Sequence, residues 1–244
     1  MGSTKLLFSE LEVMDADHLN QSENLCNIQL IERFIPFYRD QQLGFKVTVP
    51  DGKKGGWAVE SFSVSKEHSY HTYIRALSSG WHYFVQAGEY KRLICGSEVV
   101  MSNTIMEYLT NMDFIIRAHG RVLINGLGLG TVLHPLLNKH VVESVTVIEF
   151  NQEVIDLVAP SFLHNPKVVI IKGDAYTHPV EDYDFIWHDI WSDIDPANLP
   201  LMEKLERRYA GHCVWQGCWT KDLLQNPREY LSELYSSFFN RRAR

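Results

Sequence analysis

Arg121 to Gly130 reads RVLINGLGLG, a short apolar run that stops at three glycines in alternate positions. Val122, Leu123 and Ile124 show no polar alternation, which predicts a strand buried on both faces, as in a parallel sheet. Gly126, Gly128 and Gly130 let the backbone turn sharply and approach a ligand with no Cβ in the way. The next stretch, Thr131 to Lys139, predicts a helix whose free N–H groups point at whatever lies over the glycines. The spacing is G-x-G-x-G and not the dinucleotide fingerprint, so the turn alone points no further than to a nucleotide-like ligand.

The second element narrows this. Ser144 to Phe150, SVTVIEF, predicts another buried strand ending near Glu149. That carboxylate lies about 20 residues beyond the glycines, where it can accept both hydroxyls of a ribose. A helix is expected from an Asn151 cap to Val158, then strands at Lys167–Ile171, Tyr183–His188 and His212–Gln216, with helices at Leu199–Tyr209 and Pro227–Phe239. Strands alternating with helices predict an α/β fold, a Rossmann-like, mostly parallel, doubly wound sheet. Pro135 fits the helix after the glycines only close to its start.

Upstream, Leu25 to Phe37 predicts a helix. From Phe45 to Gly96 the texture is that of strands: FKVTV, WAVESFSVS, WHYFV and YKRLIC, with PDGKKGG as a turn, which predicts a small antiparallel β unit. Ser102 or Asn103 is placed to cap a helix running toward Ala118 and into Arg121. The expected organisation is an N-terminal part over 1–112 and a ligand-binding domain over 113–244.

The 244 residues are 45% hydrophobic and 22% charged, an ordinary composition for a globular protein with a sizeable core. A net charge of −7 argues against broad, backbone-driven nucleic-acid binding. The N-terminus has no basic stretch followed by an apolar one, and no run of about 18 apolar residues occurs, so a cytoplasmic protein without a membrane partner is expected. Cys26, Cys95, Cys213 and Cys218 form no C-x-x-C pair and are expected to be reduced and buried.

In such a sheet, ligands bind beyond the carboxyl ends of the strands. Those positions are polar here: Gly173, Asp174 and Ala175; then His188, Asp189, Trp191, Ser192, Asp193 and Asp195; then Gln216 and Gly217. With GLGLG, VIEFNQEVI, GDA, YDFIWHDIWSDIDPANL and GHCVWQG in this order, residues 89 to 220 resemble the class I S-adenosylmethionine-dependent methyltransferase superfamily, in particular its branch similar to spermidine synthase. The resemblance implies that Gly126, Gly128 and Gly130 face the methionine part of S-adenosylmethionine, that Glu149 holds the ribose, and that Asp174 and Ala175 hold adenine. It implies that Asp189 faces the nucleophile and that Gln216 matches a glutamine of that branch. This chain departs from the spermidine synthase pattern at Leu127 and Leu129, where that branch has glycines, and at Asp189-Ile190-Trp191, where it has Asp-Ser.

Alkyl transfer from a sulfonium is an in-line displacement, so the protein chiefly aligns acceptor and donor. Asp189 is the expected base for an amine acceptor and His188 the second candidate; adjacent strand residues point to opposite faces, so only one faces the cofactor, and Asp189 is favoured. Trp191, Asp193 and Gln216 are expected around the acceptor. Trp187 and Trp215 read equally well as core. Asp189, Asp193 and Asp195 have no histidine or cysteine at ligand spacing, so no metal is expected. The primary expectation is an S-adenosylmethionine-dependent transferase, most simply a methyltransferase, with a small-molecule or amine acceptor. The alternatives are aminopropyl transfer from decarboxylated S-adenosylmethionine to a diamine, and a non-catalytic nucleotide-binding or scaffold protein. An exposed sheet edge would favour a homodimer.

Overall fold

The alternation in WAVESFSV does produce a strand, and it lies in the middle of a small sheet. The computed structural model describes residues 47–79 and 83–227. Its first elements are β1 (Gly52–Lys54), β2 (Trp57–Val64), α1 (Lys66–Ser79), β3 (Gly88–Cys95) and β4 (Glu98–Ser102), the four strands pairing antiparallel in the order β1-β2-β3-β4. Gly55, at φ +56°, closes the β1–β2 hairpin, so the expected turn also contains a short strand. The β3–β4 register passes from Leu93 opposite Met101 to Ile94 opposite Val99. Val100 is therefore an extra residue, a bulge that bends β4 next to Met101.

Helix α2 (Ile105–Arg117) links the two sheets, and position 112 falls inside it. Thr104, not Ser102 or Asn103, takes its N-cap position and makes no side-chain capping bond. At its other end the Lys139 ammonium donates to the carbonyls of Ile115, Ile116 and Ala118 at 2.6–2.8 Å, satisfying acceptors that a helix terminus leaves open.

The remaining elements are β5 (Gly120–Asn125), α3 (Leu133–Leu137), β6 (Val142–Glu149), α4 (Gln152–Val158), β7 (Val168–Lys172), β8 (Tyr183–His188), α5 (Leu199–Tyr209), β9 (Cys213–Cys218) and α6 (Lys221–Gln225). Strands β5 to β9 form a parallel sheet in the order β7-β6-β5-β8-β9, so the glycine strand lies at its centre and the order reverses between β5 and β8. That reversal opens a crevice at the carboxyl edge. Val122 and Ile124 pack with Phe114 and Val154 on one face, while Leu123 packs with Leu205 and Tyr209 of α5 on the other. Both faces of β5 are buried, as its unbroken apolar run requires. The antiparallel sheet is joined to α4 by a Lys54–Asp156 ion pair at 3.3 Å.

Several expectations change. The described parts of FKVTV and WHYFV are not strands, and KEHSYHTYIRALSS forms α1, a helix not anticipated among the strands; its apolar residues are too sparse to show a clear stripe. The helix after the glycines is five residues long and begins at Leu133, with Pro135 near its start. Cys95 is exposed, Cys213 half-buried and Cys218 buried, all as free thiols, so burial does not extend to every cysteine. The helix expected over 25–37, nearly all of that over 227–239, and Cys26 lie outside the described residues.

Candidate functional site

Three strand ends and one helix meet at the crevice. Gly126 follows β5 with φ +103°, and its N–H donates to the Ile148 carbonyl at 2.8 Å. A Cβ there would stand 1.9 Å from the Asp189 carbonyl oxygen, so glycine is what lets β5 and the end of β8 pass each other. At Gly130, φ +74°, a Cβ would meet the Phe162 ring at 2.4 Å. Two of the three glycines thus serve the protein's own packing. Gly128, φ +50°, faces only the end of the Met101 side chain. The short α3 gives its first turn little dipole, and the His134 N–H is already spent on the Gly130 carbonyl.

Glu149 closes β6 and is 6% exposed. Its Oε2 accepts from the Leu127 N–H at 2.9 Å, and its Oε1 from the Asn151 N–H at 2.7 Å and the Asn151 side-chain amide at 3.3 Å. The carboxylate therefore shapes the glycine turn from inside. Its main-chain carbonyl accepts from Gly173 N–H at 2.9 Å, drawing the loop after β7 to the same edge. There Asp174 folds its side chain onto the Tyr176 N–H at 2.8 Å, and Ala175 is buried against Leu123 and Ile148.

Asp189 and His188 leave β8 in opposite directions. Burial pushes the Asp189 carboxyl up to about 7, and the Glu149 charge adds to the effect. Glu107, in the first turn of α2, is also held well above the ordinary range, first by burial, then by the Asp189 charge, with a bond from the Asn111 amide at 3.2 Å opposing the shift. No ion pair among the described residues involves Glu107, Glu149 or Asp189. The Asn111 Oδ1 accepts from the Trp187 indole at 2.7 Å, which ties α2 to β8.

His188 is fully buried on the α5 face. Its Nδ1 accepts from the Asn125 amide at 2.8 Å, and its Nε2 donates to Gln216 Oε1 at 3.2 Å. Gln216 in turn donates to the Glu206 carbonyl at 3.0 Å. Burial holds the imidazole down to about 4, so it is neutral with both nitrogens engaged. His188 and Gln216 are therefore bonded into the framework on the α5 face. Trp191 is half-buried against both apolar cores, Asp193 is exposed, and Asp195 caps its own turn through the Ala197 N–H at 2.8 Å. Trp187 and Trp215 stack with Phe114, with ring centroids 5.1–6.2 Å apart, as core.

The structure thus brings together the glycine turn, Glu149 and Asp189, and adds Glu107 and Met101. In the sequence, neither Glu107 nor Met101 carries a local mark of a site. Among the described residues no three His, Cys, Asp or Glu side chains gather to hold a metal, and no helix is long and apolar enough to cross a membrane.

No family model and no curated protein matches the sequence. Solved structures give partial likenesses. A dimethyladenosine transferase from Plasmodium falciparum is 18% identical, with a TM-score of 0.34 over 43% of this chain and 37% of that one. An S-adenosylmethionine-dependent methyltransferase from Clostridium acetobutylicum ATCC 824 is 16% identical, with a TM-score of 0.34 over 43% and 46%. Coclaurine N-methyltransferase is 22% identical, with a TM-score of 0.30 over 35% and 26%. Each match spans less than half of the solved chain.

Proposed function

We propose that this chain is an S-adenosylmethionine-dependent methyltransferase whose acceptor is an amine of a small molecule. The observation that carries the reading is the set of carboxylates Glu107, Glu149 and Asp189 at the glycine turn, which among the described residues make no ion pair with a cationic side chain. Buried carboxylates without a counter-charge favour a cationic ligand, because it recovers electrostatic energy that burial has cost. S-adenosylmethionine has this character, and bound there it supplies an activated methyl group that leaves a neutral thioether behind.

The chain's own residues have separable tasks in this reading. Glu149, already fixed by three N–H donors, is the ribose acceptor; Gly128 has only the flexible end of the Met101 side chain beside it; Asp174 and Ala175 border the adenine end. Asp189 sits near neutrality and takes the proton that a protonated amine must give up to become a nucleophile.

The test is a calorimetric titration with S-adenosylmethionine and with its decarboxylated form, with Gly128→Val as control, followed by transfer of a labelled methyl group to a panel of amines. Binding of the carboxylated form, abolished by the variant, is expected. Preference for the decarboxylated form would move the assignment to aminopropyl transfer. Binding without transfer to any amine would favour a scaffold.

A further inference from the structure

Met101 belongs to β4 of the antiparallel sheet, yet its side chain lies on the glycine turn of the parallel one. Its Sδ accepts a hydrogen bond from the Leu129 N–H at 3.2 Å. A Cβ built on Gly128 would stand 2.3 Å from that sulfur and 3.2 Å from the terminal methyl, so the room Gly128 provides is filled by the thioether. Gly126 and Gly130 abut a backbone carbonyl and a core ring, which cannot step aside. Gly128 instead faces an unbranched side chain with three rotatable bonds. The β4 bulge at Val100 lies directly before this residue, and bulges of this kind re-aim side chains. Thioether sulfur is a weak acceptor, so the Leu129 N–H loses little by exchanging it for a ligand oxygen.

We propose that Met101 is a plug that determines which adenosyl ligands the site accepts: its thioether takes the place of a ligand's amino-acid arm over Gly128 and Leu129, and ligands with that arm bind only as it swings out. The inference rests on the S-adenosyl reading above. Adenosine, lacking the arm, leaves the plug seated. A plug seated nine times in ten weakens the apparent binding of arm-bearing ligands about tenfold.

S-adenosylhomocysteine and adenosine are titrated into the wild type, Met101→Ala and Met101→Leu, with thermal melts to establish folding. Met101→Ala should bind S-adenosylhomocysteine about tenfold tighter and adenosine within about twofold of wild type. Met101→Leu keeps the bulk and the apolar packing, so it should fold and stay within about threefold of wild type for both ligands. In spectra of the wild type labelled with ¹³C-methyl methionine, the resonance missing from Met101→Leu should move with S-adenosylhomocysteine and not with adenosine. An unchanged or weakened affinity for S-adenosylhomocysteine in Met101→Ala, equal tightening of both ligands, or a Met101 methyl that stays still while S-adenosylhomocysteine binds would overturn the plug and leave the S-adenosyl reading standing. Absence of binding to all three proteins would end that reading and the plug with it.

Discussion

His188 and Asp189 are neighbours at the end of one strand, and the sheet gives them opposite fates. On the α5 face His188 is enclosed, neutral and bonded at both nitrogens by Asn125 and Gln216. On the α2 face Asp189 lies among Glu107 and Glu149, and among the described residues none of the three is in an ion pair. Polar identity at a strand end therefore does not mark a site. The informative feature is whether the structure itself has met the needs of the polar group: His188 has a partner at both ring nitrogens, whereas the carboxyls around Asp189 have no ion pair among the described residues and are held above their ordinary range.

The largest expected effect is at the crossing that both faces share. Gly126→Ala places a Cβ against the Asp189 carbonyl at a φ of +103°, and should lose more than about 3 kcal/mol in chemical denaturation. His188→Ala comes next. It leaves the Asn125 and Gln216 amides short of partners and opens a cavity, costing about 2–4 kcal/mol, while S-adenosylmethionine affinity stays as in wild type. A loss of affinity would erase the contrast between the faces.

The two residues should also move stability with pH in opposite senses. Burial depresses the His188 value to about 4 from 6.5, so the stability it contributes is whole above pH 6.5 and is lost as pH falls toward 4. The Asp189 value is raised to about 7 from 3.8, so its contribution is whole below about pH 4 and is lost as pH rises through 7. Asp189→Asn should accordingly stabilise the protein by about 1–3 kcal/mol at pH 8 and by nothing measurable at pH 4, as read from urea midpoints. Glu107→Gln keeps an amide oxygen that can accept from Asn111 and removes a carboxyl that burial and the Asp189 charge hold well above the ordinary range, so it should stabilise the protein at pH 8 and not at pH 4, again read from urea midpoints.

Much of this architecture was legible because it rests on local rules. Val122 to Ile124 and the two stretches Tyr183–His188 and Leu199–Tyr209 carry strong period signals, and the latter two elements have the bounds expected of them. Helix α1 was hidden by tyrosine, histidine and serine, which have little helical preference, so tertiary packing decides it. Glu149 could be found by spacing from the glycines. Glu107 and Met101 could not, because they reach the crevice from α2 and β4, across pairings that no motif spacing records. The roles of Gly126 and Gly130 were also hidden: the same glycines that suggest a ligand are demanded by the Asp189 backbone and the Phe162 ring.

The most direct test of the central claim is the proton balance of ligand binding. S-adenosylmethionine is titrated calorimetrically at pH 7 in two buffers of different ionisation enthalpy, into the wild type and into Asp189→Asn. If a cationic ligand meets the carboxylates at the glycine turn, Asp189 ionises as it binds, and the wild type should release more protons per ligand than the variant does. Binding with no proton release, or with the same release from both proteins, would contradict the assignment of this face as the ligand site.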